Sequence, residues 1–219
     1  MNTLLLRLVG PMQSWGVQSR FSVRDTGLEP SKSGVLGLVC AAMGIDRNDD
    51  ESLAPLAALK MGVRIDREGR LSRDYHTALK VLKAGGGIKE TEPSSRYYLA
   101  DAAFLVGLEG DDLALLGQIQ NAFRNPFWPL FMGRKAFVPG LPVHLPDGLK
   151  TGMGLEDALK VYPYQGRGEA LEKVRLVLED LNGDLVRPDQ PISFRQDQRR
   201  FSPRRVKVTF VSGLIMEAA

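Results

Sequence analysis

The chain opens with an apolar run, Leu4 to Val9, that breaks at Gly10 and Pro11. A short apolar run closed by Gly and Pro predicts a core strand. After a long polar stretch, Val35, Leu36, Leu38, Val39, Ala41, Ala42 and Met43 predict a helix that stops at Gly44. Leu53 to Leu59 predicts a short helical or irregular cover. From Met61 to Asp66, Val63 and Ile65 alternate with Arg64 and Asp66, which predicts a half-buried strand. Tyr97 to Glu109 carries Leu99, Phe104, Leu105, Val106 and Leu108, too apolar for a one-sided edge, and predicts a central strand. Asp111 and Asp112 then start a helix with Leu113, Leu116, Ile119 and Phe123 on one face, ended by Pro126. A further strand near Ala136 to Leu145 completes a βαββαβ order.

That order predicts an α+β, ferredoxin-like (RRM-like) domain. Two helices cover one face of an antiparallel sheet and the other face stays open for a ligand or partner. Leu71 to Arg96 interrupts it. Basic residues are spread along this stretch, Gly85 to Gly87 is a triple glycine, and Pro93, Ser94 and Ser95 follow, so it is no packed core. It predicts a β-hairpin over about residues 70–97 projecting from a domain at residues 1–147. In residues 148–219, Leu155, Ala158, Leu159 and Tyr162 fall at helical spacing. Val174, Leu176 and Leu178 form a strand, Asn182 and Gly183 a two-residue turn, and Leu185 and Val186 its return. Val206, Val208 and Phe210 form a last strand. This predicts a small C-terminal β-sheet region with a basic connecting segment.

Composition adds bounds. At 219 residues, 43% hydrophobic and 25% charged, the chain can bury a proper core. No run approaches the roughly eighteen apolar residues of a membrane helix, no secretory signal opens the chain, and the lone Cys40 suits a small core residue of a cytoplasmic protein. The net charge of +3 is unevenly spread. Arg187 to Lys207 holds seven basic residues against Asp189 and Asp197, while Asp101 to Phe131 holds four acidic residues and only Arg124. A basic and an acidic face predict a polyanion on the first and a protein neighbour or solvent on the second.

The loop after the first strand holds Arg20, Arg24 and Lys32, the hydrogen-bonding Gln13, Gln18 and Ser33, and the rings of Trp15 and Phe21. Cations for phosphates, rings for bases and amides for base edges are what a single-stranded nucleic acid requires. Lys32 and Ser33 also stand at a helix start, where free N–H groups attract anions. Trp15 fits a core plug equally well. Gly27 to Ser33 fails as a phosphate-binding P-loop, since Ser31 and Thr26 occupy the two required glycine positions. A second cationic turn, Gly133 with Arg134 and Lys135, follows Trp128 and Phe131. The hairpin offers Arg73, Tyr75 and His76, and the C-terminal segment Arg199 and Arg200.

Gly10, Pro11, Met12, Gln13, Ser14, Trp15, Gly16, then Pro30, Ser31, Lys32, Ser33, Gly34, Val35, Leu36, Gly37 and Leu38 resemble the opening of the CasD family. Leu71, Ser72, Arg73, Asp74, Tyr75, His76 and Thr77 agree, as do Phe131, Met132, Gly133, Arg134 and Lys135. The match weakens after Gly148. The resemblance implies a CRISPR-associated RAMP subunit of the type I-E Cascade complex. Such a subunit holds the 5′ handle of crRNA, meets the backbone subunit through its thumb hairpin and the large subunit elsewhere, and serves target DNA recognition indirectly. It implies no catalysis, cofactor, metal or membrane. The rival reading is a metal-independent endoribonuclease for repeat RNA. His76 and His144 are its only histidines, and the adjacent Lys and His of RNA-processing relatives are absent.

Overall fold

The computed structural model describes residues 1–16, 22–83, 85–166 and 172–212. Its strands are β1 (Asn2–Val9), β2 (Met12–Gln13), β3 (Val23–Arg24), β4 (Lys60–Arg67), β5 (Arg70–Leu82), β6 (Ile88–Ala100), β7 (Ala103–Gly110), β8 (His144–Lys150), β9 (Lys173–Glu179), β10 (Leu185–Ser193) and β11 (Arg200–Ser212). Its helices are α1 (Lys32–Met43), α2 (Asp50–Ala58), α3 (Leu113–Arg124) and α4 (Leu155–Val161). It is a mixed α+β fold on a seven-stranded antiparallel sheet in the order β10-β11-β9-β4-β7-β1-β8.

Both faces of that sheet are covered. Leu4, Leu6 and Leu8 of β1 point into a core with α1, α2 and α3, while Leu5 joins Leu105, Leu155, Leu159, Leu176 and Leu178 beneath α4. This is why β1 reads as an uninterrupted apolar run rather than an alternation. The sheet face expected to be open is therefore partly closed by α4. The cover also corrects the reading of β4 as half-buried. Arg64 and Asp66 face α4 with no exposure at all, joined by paired bonds of 2.6 and 2.9 Å. Arg64 donates further to the carbonyls of Leu159, Tyr162 and Pro163, and Asp66 accepts from the Gln165 amide. A charge pair satisfied on all sides can sit in a core.

Three predicted boundaries move. The long apolar stretch from Tyr97 to Glu109 divides at Asp101, whose φ is 57°, into the end of β6 and the central strand β7. The strand expected at Ala136 to Leu145 lies at His144–Lys150. The Asn182–Gly183 turn does not join paired neighbours, because β11 inserts between β9 and β10. Rather than making a small sheet of their own, these three strands extend the main one through β9 on β4.

The projecting hairpin is β5 with β6, and it continues the β4–β7 ladder. One register shift at Asp66 breaks that ladder, and the pairing resumes from Arg70 opposite Ala100. Gly69, with φ 73°, makes the bend next to Asp101; a side chain there would strike the Ala100 carbonyl. β5 pairs only with β6, and its side chains are mostly exposed. β2 and β3 flank the base of β6.

Candidate nucleic-acid interface

A groove of about 1230 Å³ runs between one face of α1, the base of β6, the 128–135 turn and residues 194–201, the loop that leads into β11. Local chemistry sets each wall. Ser31 caps α1 by accepting from the Gly34 amide, and Gly44, with φ 74°, ends the helix. The amides of Phe127 and Trp128 then donate to the Ala42 and Ala41 carbonyls, which lays the 128–135 turn against the end of α1. Gly133 has φ 98°, and any side chain there would collide with the Ser14 carbonyl. Glycine thus serves a close approach to Ser14, whose amide donates to the Met132 carbonyl, rather than an approach to ligand.

Six cations line this groove: Arg24, Arg47, Arg96, Arg134, Lys135 and Arg199, against Asp25 and Asp46. None of the six forms a salt bridge with a described residue. Arg134 is half-buried, donates to the Tyr97 carbonyl at 2.7 Å and lies over the Phe137 ring. Burial pushes its pKa below the usual arginine value, with the Arg96 charge and, less strongly, the Arg24 charge adding to the effect while Asp74 opposes it. Those cations therefore share one field. Besides the buried Trp15, four partly exposed rings alternate with them: Trp128 and Phe131 on one wall, and Phe194 and Phe201, with centroids 6.4 Å apart, on the other.

The predicted residues divide. Arg24, Ser33, Arg134, Lys135 and Arg199 come together in the groove. Trp15 borders the groove but is buried, and Gln13 does not line it. Gln13 is fully buried and donates to the Leu8 and Ala102 carbonyls, while Trp15 is 2% exposed and donates from Nε1 to Gln13 Oε1. Trp15 is the core plug, and its ring packs on Gly34 of α1. Lys32 is 1% exposed and pairs with Glu179 at 3.0 Å, while burial drags its pKa down against the pull of that carboxylate. The free N–H at the start of α1 is answered from within, by Asp189 at 2.8 Å. Arg73, Tyr75 and His76 are exposed on β5 away from the groove, and Arg200 is exposed outside it. Gln18, Arg20 and Phe21 lie outside the described residues.

The family described as CRISPR-associated protein (Cas_Cas5) matches residues 3–207. The chain belongs to the Cas5 family. The protein of Escherichia coli (strain K12) called CRISPR system Cascade subunit CasD is 38% identical over 146 residues, covering 61% of this chain and 65% of that relative's length. Two solved structures share the fold. One, described as the crystal structure of a Cas protein, is 44% identical with a TM-score of 0.78 over 96% of this chain and 95% of its own. A chain of a CRISPR RNA-guided surveillance complex is 34% identical with a TM-score of 0.77 over 97% and 94%. The likeness to CasD seen in the sequence is thereby borne out.

In this Cas5 chain the groove also holds residues that sequence reading passed over. Arg47 sits in the turn between α1 and α2, and Arg96 at the foot of the hairpin; neither is among the predicted contacts. Phe194 and Phe201 bracket Arg195, Arg199 and Arg200; rings interleaved with arginines were a legible sign of a nucleic-acid surface.

Proposed function

We propose that this Cas5-family chain is a non-catalytic, RNA-binding subunit of a type I-E Cascade surveillance complex, holding the 5′ handle of crRNA in antiviral defence in the cytoplasm. The observation that carries this reading is the groove itself: six cations that form no salt bridge with a described residue, interleaved with four rings. Cations neutralise phosphates and rings stack bases, without any need for base-specific chemistry. The CRISPR surveillance complex and the Cascade subunit CasD among its relatives supply the biological setting.

Finer assignments follow from the same reading. The β4-β7-β1-β8 portion of the sheet, with α1 and α3 on one face, has the strand order of a ferredoxin-like domain and supports that description. The hairpin, with Tyr75, Leu79 and Leu82 each about 70% exposed or more, is assigned to the backbone subunit. The large subunit and, indirectly, target DNA complete the partners. Acid–base catalysis finds little support. His76 stands exposed on β5, while His144 is on β8, where its Nε2 accepts from Arg124 at 2.9 Å and burial with the Arg124 and Arg7 charges lowers its pKa.

The test is crosslinking of the reconstituted complex to handle RNA, with Arg134→Ala and Lys135→Ala as variants. Crosslinks in residues 128–135 and 194–201, abolished on neutralising the two cations, are expected. Crosslinks confined to the α4 face, or RNA cleavage in EDTA, would replace this reading.

A further inference from the structure

We propose that Gly37 is the point at which the groove admits a nucleotide, pressed against bare α1 backbone where any side chain would stand in its way. The proposal rests on the groove being the RNA site and adds what its floor does. Ser33, Gly37 and Ala41 recur at four-residue spacing and so share one face of α1; all three are half-buried and line the groove. The cations and rings stand on the walls around this face. Gly37 lies in the middle of a twelve-residue helix, where glycine is the costliest residue after proline.

Nothing among the described residues accounts for that cost. A β-carbon at Gly37 would meet no described atom within 4 Å, whereas at Gly34, one turn earlier, it would press into the Trp15 ring at 2.9 Å. Gly34 is thus explained by packing and Gly37 is not. Its backbone is an ordinary helix with no positive φ. A glycine at a strain-free helical position, open on the groove side, leaves the backbone bare for the close approach of another molecule. Here the cations and rings mark that molecule as a nucleotide strand.

α3 provides the control. Gly117 is also a mid-helix glycine whose added β-carbon would meet nothing, and it does not line the groove. Gly37→Ala and Gly117→Ala should each raise Tm by about 1–4 °C. In the complex reconstituted with handle RNA, Gly37→Leu should retain RNA at least about tenfold more weakly, equivalent to one stacked base. Gly37→Ala should show a smaller drop despite its higher Tm, and Gly117→Ala and Gly117→Leu should bind as the unmodified chain does. Should Gly37→Leu bind normally while Arg199→Ala or Arg134→Ala binds weakly, the inference fails and the RNA groove stands. If all of these bind normally, the groove reading fails and Gly37 with it. Loss of assembly by Gly37→Leu in the absence of RNA would show that a protein segment fills the groove, and would overturn the inference.

Discussion

Two sets of cations in this chain have opposite fates. Lys32, Arg64 and Arg204 are buried, and each meets carboxylates of its own chain: Glu179, Asp66 and Asp189 respectively. Arg24, Arg47, Arg96, Arg134, Lys135 and Arg199 line a groove and meet none among the described residues. Charge counted along the sequence makes no distinction between them. The seven basic residues from Arg187 to Lys207 read as one stripe. Yet Arg187 pairs with Glu29, Arg195 with Asp50, Arg204 with Asp189, and Lys207 with Glu156 and Asp180. What remains for a polyanion is a remnant, and it acquires meaning only when the fold sets Arg199 opposite Arg134. Paired charge holds the architecture; unpaired charge is the candidate for function.

If that distinction is right, the largest response belongs to the buried pair. Arg64→Leu strands Asp66 in a sealed site with the Gln165 amide as its remaining hydrogen-bond partner, and should cost about 3–5 kcal/mol. For a chain of this size that lowers Tm by roughly 6–20 °C. Replacing Arg64 and Asp66 together with leucines should recover much of the loss, because neither charge is then stranded. Thermal or urea denaturation of the three variants checks this. A single variant as stable as the unmodified chain would place Arg64 with the groove cations after all.

The fold was more legible than the site, for a physical reason. Strand β1, helices α1 and α3, the hairpin and β9 each carry their own periodicity or punctuation, and each stands near where the pattern sets it. Pairing between distant strands has no such local sign. Insertion of β11 between β9 and β10 overrode the local Asn182–Gly183 turn, and cover by α4 turned the apparently polar positions Arg64 and Asp66 inward. The same limit governs the site. Trp15, Gln13 and Lys32 have the right chemistry for RNA, but they point into the protein, where an indole N–H, an amide and an ammonium all find partners. Arg47 and Arg199 are 152 residues apart in sequence and meet only across the finished groove.

Groove cations should respond in the opposite sense. Arg47→Ala and Arg199→Ala remove exposed side chains without ion-pair partners among the described residues, so stability should stay within about 0.5 kcal/mol. RNA binding by the assembled complex should weaken with either variant. The slope of log K against log salt should become shallower by about 0.7 for each phosphate that is no longer neutralised. Titrations at several salt concentrations, run beside melting curves, separate the two effects. A variant that lowers Tm as far as Arg64→Leu, with an unchanged salt slope, would erase the division between the two sets.

Between these extremes lie pairs at the surface, and they should give the smallest effect. Glu156 on α4 accepts from Lys160 at 2.7 Å and lies 3.3 Å from Lys207 on β11, tying α4 to the sheet. The Lys160 hydrogen bond is the main cause holding its carboxyl below the usual glutamate range; the Lys207 hydrogen bond assists, and partial burial opposes. A carboxylate whose folded pKa is depressed stabilises the fold above its unfolded pKa, near 4.5, and loses that contribution as pH falls through the folded value. Glu156→Gln should therefore melt slightly below the unmodified chain at pH 7, by an amount that salt reduces, and the two melting curves should converge as pH falls below 4.5 and through the folded value. A difference that persists undiminished in acid would mean Glu156 holds α4 by packing and neutral hydrogen bonds, and would set it outside the charge-paired class.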